Sequence, residues 1–375
     1  MDQRFRGGGA VAQESGAHVV QRLGERWIGE LAGPGGDFVC SPAGLWLALT
    51  ALAAGARGGT ADELRAVLGV AGQEAAGAVT ATARELAAAD GLGVATRVCT
   101  RTPVRRKVRK ALPDVLFGPM APEKADAWVR ETTGGLVERL PVVVDDAMLL
   151  VLVNALALKA DWAIPFEREA TGDRPFTDAA GVTRQVPTMY GTPPPWDVWM
   201  SGGTFVLDLR CGRRRGGPPP VKVRLVLGRP GEGAADVLPA AWAPKAARTA
   251  LGADALTIAV PRFTLRTHIR AAGQLSTLGI RLATTPAADF SGLSPTPLML
   301  SEAVQEAVLK VNEEGVAAAA VTVLPAPAGA EPGPLPRRLH LAFDRPFGIV
   351  VLDPGEEVPL FAGWQADHPV DEQEH

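Results

Sequence analysis

The stretch VNEEGVAAAAVTVLP, residues 311–325, decides how the chain is interpreted. It places one glycine and four consecutive alanines after an acidic pair. Gly315 and Val316 begin a helix poorly, and residues 321–323 favour extended structure, so a helix does not explain the alanines well. Prolines at positions 325 and 327 exclude regular strand pairing and indicate exposed, extended chain.

Composition indicates a soluble chain with a sizeable core. The 375 residues are 47% hydrophobic and 21% charged, which argues against global disorder. The net charge is −3, so we expect no nucleic-acid or membrane partner. The first residues lack the apolar run of a secretory signal, and we expect a cytoplasmic location, with export by another route left open.

The sequence nominates no enzyme, cofactor or metal site. Cys40, Cys99 and Cys211 are widely spaced and form no CxxC pair, so neither a metal site nor a disulfide framework is supported. No nucleophile elbow, P-loop, dinucleotide fingerprint or HExxH motif occurs. The basic runs at 105–110 and 213–215 are interpreted as solvated surface, with a polyanion site as the alternative.

Hydrophobic periodicity predicts helices and strands interspersed without a steady βα rhythm, which favours an α+β fold. Ser41 and Pro42 form a good start for a buried helix, and Thr60 with Glu63 predicts a capping box for the next one. Further predicted helices cover 19–31, 75–89, 124–140 and 269–278. Predicted strands cover 148–158, 221–227 and 256–265, and a hairpin turns at residues 353–355.

A series of motifs follows along the chain from about residue 19 to 369: FVCSPAGLWLALTALAAGARGGTADELRAVLG, AWVRETTGGLVERL, LVNALALKADWAIPFEREATGDRPF, VPTMY, VPRF, Leu278-Gly279, DFSGLS, VNEEGVAAAAVT, and FDRPF with LFAGW. In these motifs and in their order the chain resembles the serpins, the serine protease inhibitor family. We expect a bacterial-type member of this family.

The resemblance implies the serpin fold, with three β-sheets, about eight or nine helices and an exposed reactive loop at about 315–340. It implies one domain over 17–369, flanked by tails at 1–16 and 370–375. The expected state is a monomer without a cofactor. Serpins are often extracellular, so the resemblance keeps that location open as well.

In serpins the hinge and the loop after it can insert as a new strand in the middle of the largest sheet. Side chains alternate along a strand, and those from 316 to 323 are all small or β-branched and uncharged, so both faces suit a packed interior. The resemblance assigns the hinge to Glu313, Glu314, Gly315, Val316, Ala317, Ala318, Ala319, Ala320, Val321 and Thr322. It assigns the sheet-opening region to Ser41, Asn154, Trp162 and Gln305, although serpins often have histidine at position 305.

The implied function is inhibition by a suicide mechanism, in which a serine or cysteine protease is trapped as an acyl-enzyme. Family spacing puts the scissile bond at Gly329-Ala330, which suits an elastase-like or subtilisin-like protease. Arg337 and Arg338 would suit a trypsin-like enzyme instead. The alternative is a non-inhibitory serpin, such as a binding or chaperone-like module or a protease substrate, because the loop prolines should stop insertion near residue 325.

Overall fold

The computed structural model describes residues 15–33, 35–90, 92–120, 122–133, 135, 148–158, 160–213, 216–316 and 337–370. These residues form seven α-helices: α1 Gly16–Ala32, α2 Pro42–Ala53, α3 Gly58–Leu68, α4 Gln73–Ala87, α5 Arg106–Ala111, α6 Pro122–Thr132 and α7 Ala234–Val237. They form eighteen strands: β1 Phe38–Cys40, β2 Leu92–Thr100, β3 Val115–Pro119, β4 Leu150–Leu158, β5 Ala160–Asp161, β6 Gly172–Thr177, β7 Thr183–Gly191, β8 Val198–Ser201, β9 Thr204–Leu209, β10 Lys222–Leu227, β11 Thr249–Ala250, β12 Ala255–Pro261, β13 Phe263–Arg270, β14 Leu300–Val311, β15 Gly315–Val316, β16 Arg338–Ala342, β17 Phe347–Leu352 and β18 Pro359–Gln365.

The strands form three sheets. The main sheet has the order β3-β2-β4-β14-β15-β5, with β13 paired to the other side of β14. A second sheet runs β1-β18-β17-β10-β9-β8-β11, and a small sheet runs β16-β12-β7-β6. The expected α+β fold with three sheets is confirmed. The helix count is lower than expected, with seven α-helices among the described residues.

Helix α2 lies in the centre of the molecule and is buried on every side. It begins where the sequence predicts, because Ser41 caps it by accepting a hydrogen bond from the Gly44 N–H at 3.0 Å and Pro42 occupies the first turn. The helix contacts β2 and β4 of the main sheet and β18 of the second sheet. Its N-terminus therefore lies beneath the strands that would have to part for an insertion.

Strand β4 and the predicted hairpin are also confirmed. β4 pairs antiparallel with β2 and parallel with β14, which explains a sequence that is apolar except for Asn154. The hairpin forms from β17 and β18. In its turn, the Asp353 carboxylate accepts hydrogen bonds from the backbone N–H groups of Gly355, Glu357 and Val358.

The helix predicted over 269–278 is wrong. Strand β13 continues to Arg270, and a 3₁₀ turn, Ala271–Gln274, follows it. β13 pairs with β14 residue for residue from Phe263–Val311 to Arg270–Val304, and this pairing outweighs the local helical pattern. The single strand predicted over 256–265 is likewise two strands, β12 and β13, which separate at Arg262 and lie in different sheets.

The capping box predicted from Thr60 and Glu63 is also wrong, because α3 begins earlier, at Gly58. The Thr60 hydroxyl accepts a hydrogen bond from the Asp289 N–H at 3.0 Å. The Glu63 carboxylate accepts from the N–H groups of Arg281 and Leu282 at 2.7 and 2.8 Å. Both side chains therefore hold a distant loop against α3 instead of capping their own helix.

The remaining predictions concern the surface and the chain ends. The basic run forms α5, where Arg106, Lys107, Arg109 and Lys110 are exposed around a buried Val108, as expected of a solvated face. Helix α1 begins at Gly16, with Ser15 as its N-cap, while residues 1–14 and 371–375 lie outside the described residues. Among the helices described, none has the length and apolar character needed to cross a bilayer.

Candidate functional site

The hinge begins inside the main sheet. In β15, Val316 pairs with Val311 of β14 on one side and with Ala160 of β5 on the other, and only 1% of its surface is exposed. Gly315 pairs with Asp161. The first two residues after the acidic pair thus already hold the position of an extra strand at one end of the sheet. The other hinge residues, Ala317, Ala318, Ala319, Ala320, Val321 and Thr322, lie outside the described residues, as do Gly329 and Ala330.

Gly315 is required by close approach of the backbone. A Cβ atom at this position would lie 2.1 Å from the Ala160 carbonyl oxygen and 2.8 Å from the Asp161 Cα. Both neighbours are backbone atoms and cannot rotate away. Only glycine fits between β14 and β5 at this point.

A tight turn connects β14 to the hinge. The Asn312 side-chain oxygen accepts hydrogen bonds from the N–H groups of Glu314 and Gly315 at 3.1 and 3.2 Å. The Asn312 N–H donates to the Gly315 carbonyl at 3.1 Å. Asparagine favours such local bonds, so the turn is well defined by its own sequence.

Trp162 lies directly against this turn. Its backbone N–H donates to the Glu314 carbonyl at 2.8 Å, and its indole Nε1 donates to the Asn312 carbonyl at 3.0 Å. The Phe166 N–H donates to the Glu313 carbonyl at 2.9 Å. The segment after β5 therefore holds the acidic pair through its backbone, and the Trp162 indole holds Asn312, the residue before that pair.

The two acidic residues have different environments. The Glu313 carboxylate is almost fully buried and accepts hydrogen bonds from the Thr171 hydroxyl at 2.6 Å and from Arg262 Nε at 2.7 Å. Burial alone would raise the pKa of Glu313, but the hydrogen bonds from Arg262 and Thr171 outweigh burial and lower the pKa below its usual value. Glu314 instead forms an ion pair with Arg168, whose side chain is largely exposed.

Sequence reasoning missed Thr171, Arg168 and Arg262. Arg262 belongs to the VPRF motif, but no local pattern indicates that it reaches the hinge. It does so because the chain passes from the small sheet to the main sheet at that residue.

A chain of buried polar side chains crosses the middle of the main sheet, and we call it the polar ladder: Thr96, Asn154, Gln305 and Ser41. Asn154 Nδ2 donates to the Thr96 hydroxyl at 3.2 Å, and Gln305 Nε2 donates to Asn154 Oδ1 at 3.2 Å. Gln305 Oε1 accepts from the Ser41 N–H at 2.6 Å, and Gln305 Nε2 donates to the Ser41 carbonyl at 3.1 Å. All four residues are at most 6% exposed. Thr96 was not predicted as a site residue.

The polar ladder joins the strands that an inserting strand would separate. β4 and β14 pair directly from Leu150–Leu300 to Leu156–Ala307, and Asn154 lies opposite Gln305 within that stretch. A strand entering between them must break this pairing and the Gln305–Asn154 bond. The ladder also fastens β14 to the start of α2, because Ser41 is the N-cap of that helix.

The arginines proposed as an alternative cleavage site lie at the edge of a sheet. Arg338 is the first residue of β16 and pairs with Ala255 of β12. The Arg337 N–H donates to the Asp254 carboxylate at 2.7 Å, and the Arg337 carbonyl accepts from the Asp254 N–H at 2.9 Å. A protease binds the segment that it cleaves as an extended chain in its own active site. Arg337 and Arg338 cannot enter that site while they are bonded to Asp254 and β12, so this pairing disfavours cleavage here.

These features define a class of protein: an α+β fold whose main sheet is closed in the middle and holds the start of a loop at one end. The family model described as Serpin (serine protease inhibitor) matches residues 114–367, and the chain belongs to the serpin family.

The chain is similar to the putative serpin-Z6C of Oryza sativa subsp. japonica, with 30% identity over 91% of this chain and 92% of the relative. It is 29% identical to the leukocyte elastase inhibitor of Bos taurus, over 77% of this chain and 83% of that protein. The solved structure of Serpin48 from the insect Tenebrio molitor has the same fold, with a TM-score of 0.79 and 24% identity over 96% of this chain and all of that one. These relatives come from a plant, a mammal and an insect, so they do not support the bacterial-type expectation.

Replacing Gln305 with alanine should weaken the closed sheet. The Ser41 N–H and the Asn154 side chain would lose a buried partner, at a cost of about 1–3 kcal/mol. We expect a lower melting temperature and a faster spontaneous conversion to a loop-inserted form, measured by calorimetry and native gel electrophoresis. The matched control is Gln185→Ala on the exposed part of β7. Equal conversion rates in the two variants would contradict the role given to the ladder.

Replacing Glu313 with glutamine should remove a pH-dependent contribution to stability. Because the folded pKa of Glu313 is lowered, the stabilisation is fully present above its unfolded value and is lost as the pH falls through the folded value. We therefore expect Glu313→Gln to melt below the wild type at pH 7, and the difference to shrink as the pH falls below the usual titration range of a glutamate. Glu314→Gln, which breaks only a surface ion pair, should change the melting temperature much less at either pH. A Glu313 effect that is independent of pH would argue against the buried ion pair.

Proposed function

We propose that this chain inhibits a serine or cysteine protease as a suicide substrate, by inserting its cleaved loop between β4 and β14. The observation that carries the proposal is the position of β15. Gly315 and Val316 already pair between β14 and β5, while β4 and β14 still pair directly with each other. Insertion would lengthen β15 from Val316 toward the middle of the main sheet, between β4 and β14.

The packing on both faces favours this insertion. Val316 packs into the main core of the molecule, so Ala318, Ala320 and Thr322 would follow it on that face. The alternate residues would face an apolar cluster on the outer face of the sheet. That cluster consists of Cys99, Val151, Val153, Ala155, Val304 and Val308, with Val129 of α6. Small or β-branched side chains suit both environments, whereas a charge on either face would be buried without a partner.

In the proposed reaction the protease cleaves the reactive loop, and the inhibitor then inserts the cleaved loop into its main sheet. The catalytic serine or cysteine attacks the scissile carbonyl carbon, the C–N bond breaks, and the new amino terminus departs with the C-terminal part of the loop. The acyl-enzyme remains attached to the N-terminal part, which is then no longer held at its far end. Gly315 and Val316 already lie in the sheet, so insertion through residue 324 would add eight residues and about 26 Å of strand, at roughly 3.3 Å per residue.

We propose an elastase-like or subtilisin-like target, cleaved at Gly329-Ala330. Small residues at this position suit a protease with a small primary pocket. The name of one relative, leukocyte elastase inhibitor, supports the choice. The trypsin-like alternative is less favoured, because Arg337 and Arg338 are fixed by backbone bonds to Asp254 and β12.

The second candidate function is that of a non-inhibitory serpin, and Pro325 and Pro327 favour it. Proline donates no hydrogen bond, so a central strand should stop near residue 325, short of the roughly 15 residues that a full insertion would take. Such a chain would act as a binding or chaperone-like module or be cleaved as an ordinary substrate.

We further propose a cytoplasmic monomer with a single domain over residues 17–369.

The proposed inhibition predicts a covalent adduct that survives SDS electrophoresis after incubation with an elastase-like or subtilisin-like protease. Ala318→Arg should abolish the adduct and leave a cleaved, inactive chain, since an inserted guanidinium would be buried in the main core. Ala318→Ser, which stays small, should keep the adduct. Clipping of the wild type with full protease activity retained would favour the non-inhibitory serpin. An adduct with Ala318→Arg would refute insertion.

A further inference from the structure

The pairing of β4 with β14 becomes irregular at the end farthest from the hinge. Regular pairing covers residues 151–156 of β4 and 302–307 of β14, and it then skips Ser301. Such a bulge leaves one residue unpaired and interrupts the ladder. The Leu149 N–H donates to Ser301 Oγ at 2.9 Å, so the skipped residue still bonds to the chain that leads into β4. We call residues 149–151 together with residues 300–302 the bulge end.

The bulge end is also fastened on the other side of β14. Glu302 is only 4% exposed, and its carboxylate accepts hydrogen bonds from Arg270 Nε at 2.7 Å and from the Ala272 N–H at 3.3 Å. It accepts a further bond from the Ala303 N–H at 3.1 Å. Arg270 is the last residue of β13, and Ala272 follows it. The bulge end is therefore held from both neighbours of β14.

The register of an inserted strand follows from pairs that already exist. Val316 lies opposite Val311 of β14 and opposite the first residue of β5. Counted along an antiparallel strand from the first pair, Thr322 falls opposite Gln305, and counted from the second pair it falls opposite Asn154. Gln305 and Asn154 already lie opposite each other. The two counts agree, so β15 can be lengthened without a shift in register.

The direction of the new backbone bonds is fixed by the turn before β15. The Asn312 N–H donates to the Gly315 carbonyl at 3.1 Å, so the hydrogen bonds flank the Val311–Val316 pair. In an antiparallel ladder, bonded and non-bonded pairs alternate along the strands. The N–H groups at position 317 and at every second residue after it would therefore point toward β14.

Pro325 would enter this ladder at the bulge end, opposite Glu302. Its position belongs to the series that donates to β14, and proline has no N–H to give to the Glu302 carbonyl. Regular pairing of β4 with β14 ends at the same residue. The first proline after the hinge therefore coincides with the first irregularity in the β4–β14 pairing, while residues 316–324 match residues 303–311 before it.

We propose that Pro325 ends the inserted strand at Leu324 and that the bulge end stays closed after the loop is cleaved. This inference rests on the proposed insertion of the loop. It gives Pro325 a positioning role, because the proline fixes the length of the inserted strand without preventing insertion. Residues 325–329 would then remain outside the sheet and connect it to the trapped protease.

The test measures amide hydrogen exchange in the wild type after a single cleavage near Gly329. We expect residues 317–324 to become protected from exchange, because their N–H groups gain partners in β4 and β14. The Leu149 N–H should exchange no faster than in the uncut chain, because its bond to Ser301 persists. Exchange is measured by mass spectrometry on peptides that cover residues 148–152 and 317–324.

The double variant Pro325→Ala with Pro327→Ala should insert further after the same cleavage. Alanine can donate to β14, so the strand can continue past Glu302 and separate Leu149 from Ser301. We expect the Leu149 N–H to exchange at least about tenfold faster in the cut variant than in the cut wild type.

The matched control is Pro286→Ala, which removes an exposed proline outside the strands. The cut control should show the same exchange as the cut wild type at both peptides. Equal melting temperatures for the uncut chains would exclude a general loss of stability as the cause of faster exchange.

Three outcomes would overturn this proposal. If residues 317–324 become protected in the cut wild type and Leu149 exchanges faster, the strand passes Pro325, and this proposal fails while the proposed function stands. If Leu149 stays equally protected in the cut double variant, the prolines do not set the end of the strand. If residues 317–324 stay unprotected in the cut wild type, insertion fails as the proposed function, and this proposal fails with it.

Discussion

The direct pairing of β4 with β14 is the constraint on which the rest of the structure depends. These two strands are parallel neighbours, yet at one end β15 already separates β14 from the continuation of β4 in β5. A further strand can therefore enter the main sheet only if the hydrogen bonds between β4 and β14 break. Under the proposed function, insertion of the loop strand would be slow, and the lifetime of the closed sheet would reflect a barrier more than an equilibrium.

Two sets of buried contacts would act on such an insertion at different places in the main sheet. In the middle, the polar ladder ties Asn154 to Gln305 through neutral amides and a hydroxyl, so its strength should not change with protonation. At the end of the sheet, the buried Glu313 carboxylate holds the hinge through Arg262 and Thr171. The first resists separation of β4 from β14, and the second fixes the position, just before Gly315, from which β15 would be extended.

Local signals in the sequence predicted the elements that local chemistry determines. Ser41-Pro42 starts α2, the near-continuous apolar run around Asn154 forms β4, and the Asp353 turn closes the last hairpin. The hinge was assigned through the resemblance to the serpin family, and its small or β-branched residues agree with that assignment because they suit both faces of a buried strand. Long-range pairing decided the rest. β13 became a strand because β14 lies beside it, and no pattern around Arg262, Thr171 or Thr96 indicates which distant side chain each one meets.

The central claim is that the sheet lacks one strand that the chain itself can supply, and cutting the loop tests it most directly. The measurement is the melting temperature before and after a single cleavage near Gly329, with a crystal structure of the cut form. We expect an increase of at least about 10 °C and a new strand between β4 and β14 that begins at Gly315. An unchanged melting temperature, with β4 and β14 still paired directly in the cut form, would contradict the account.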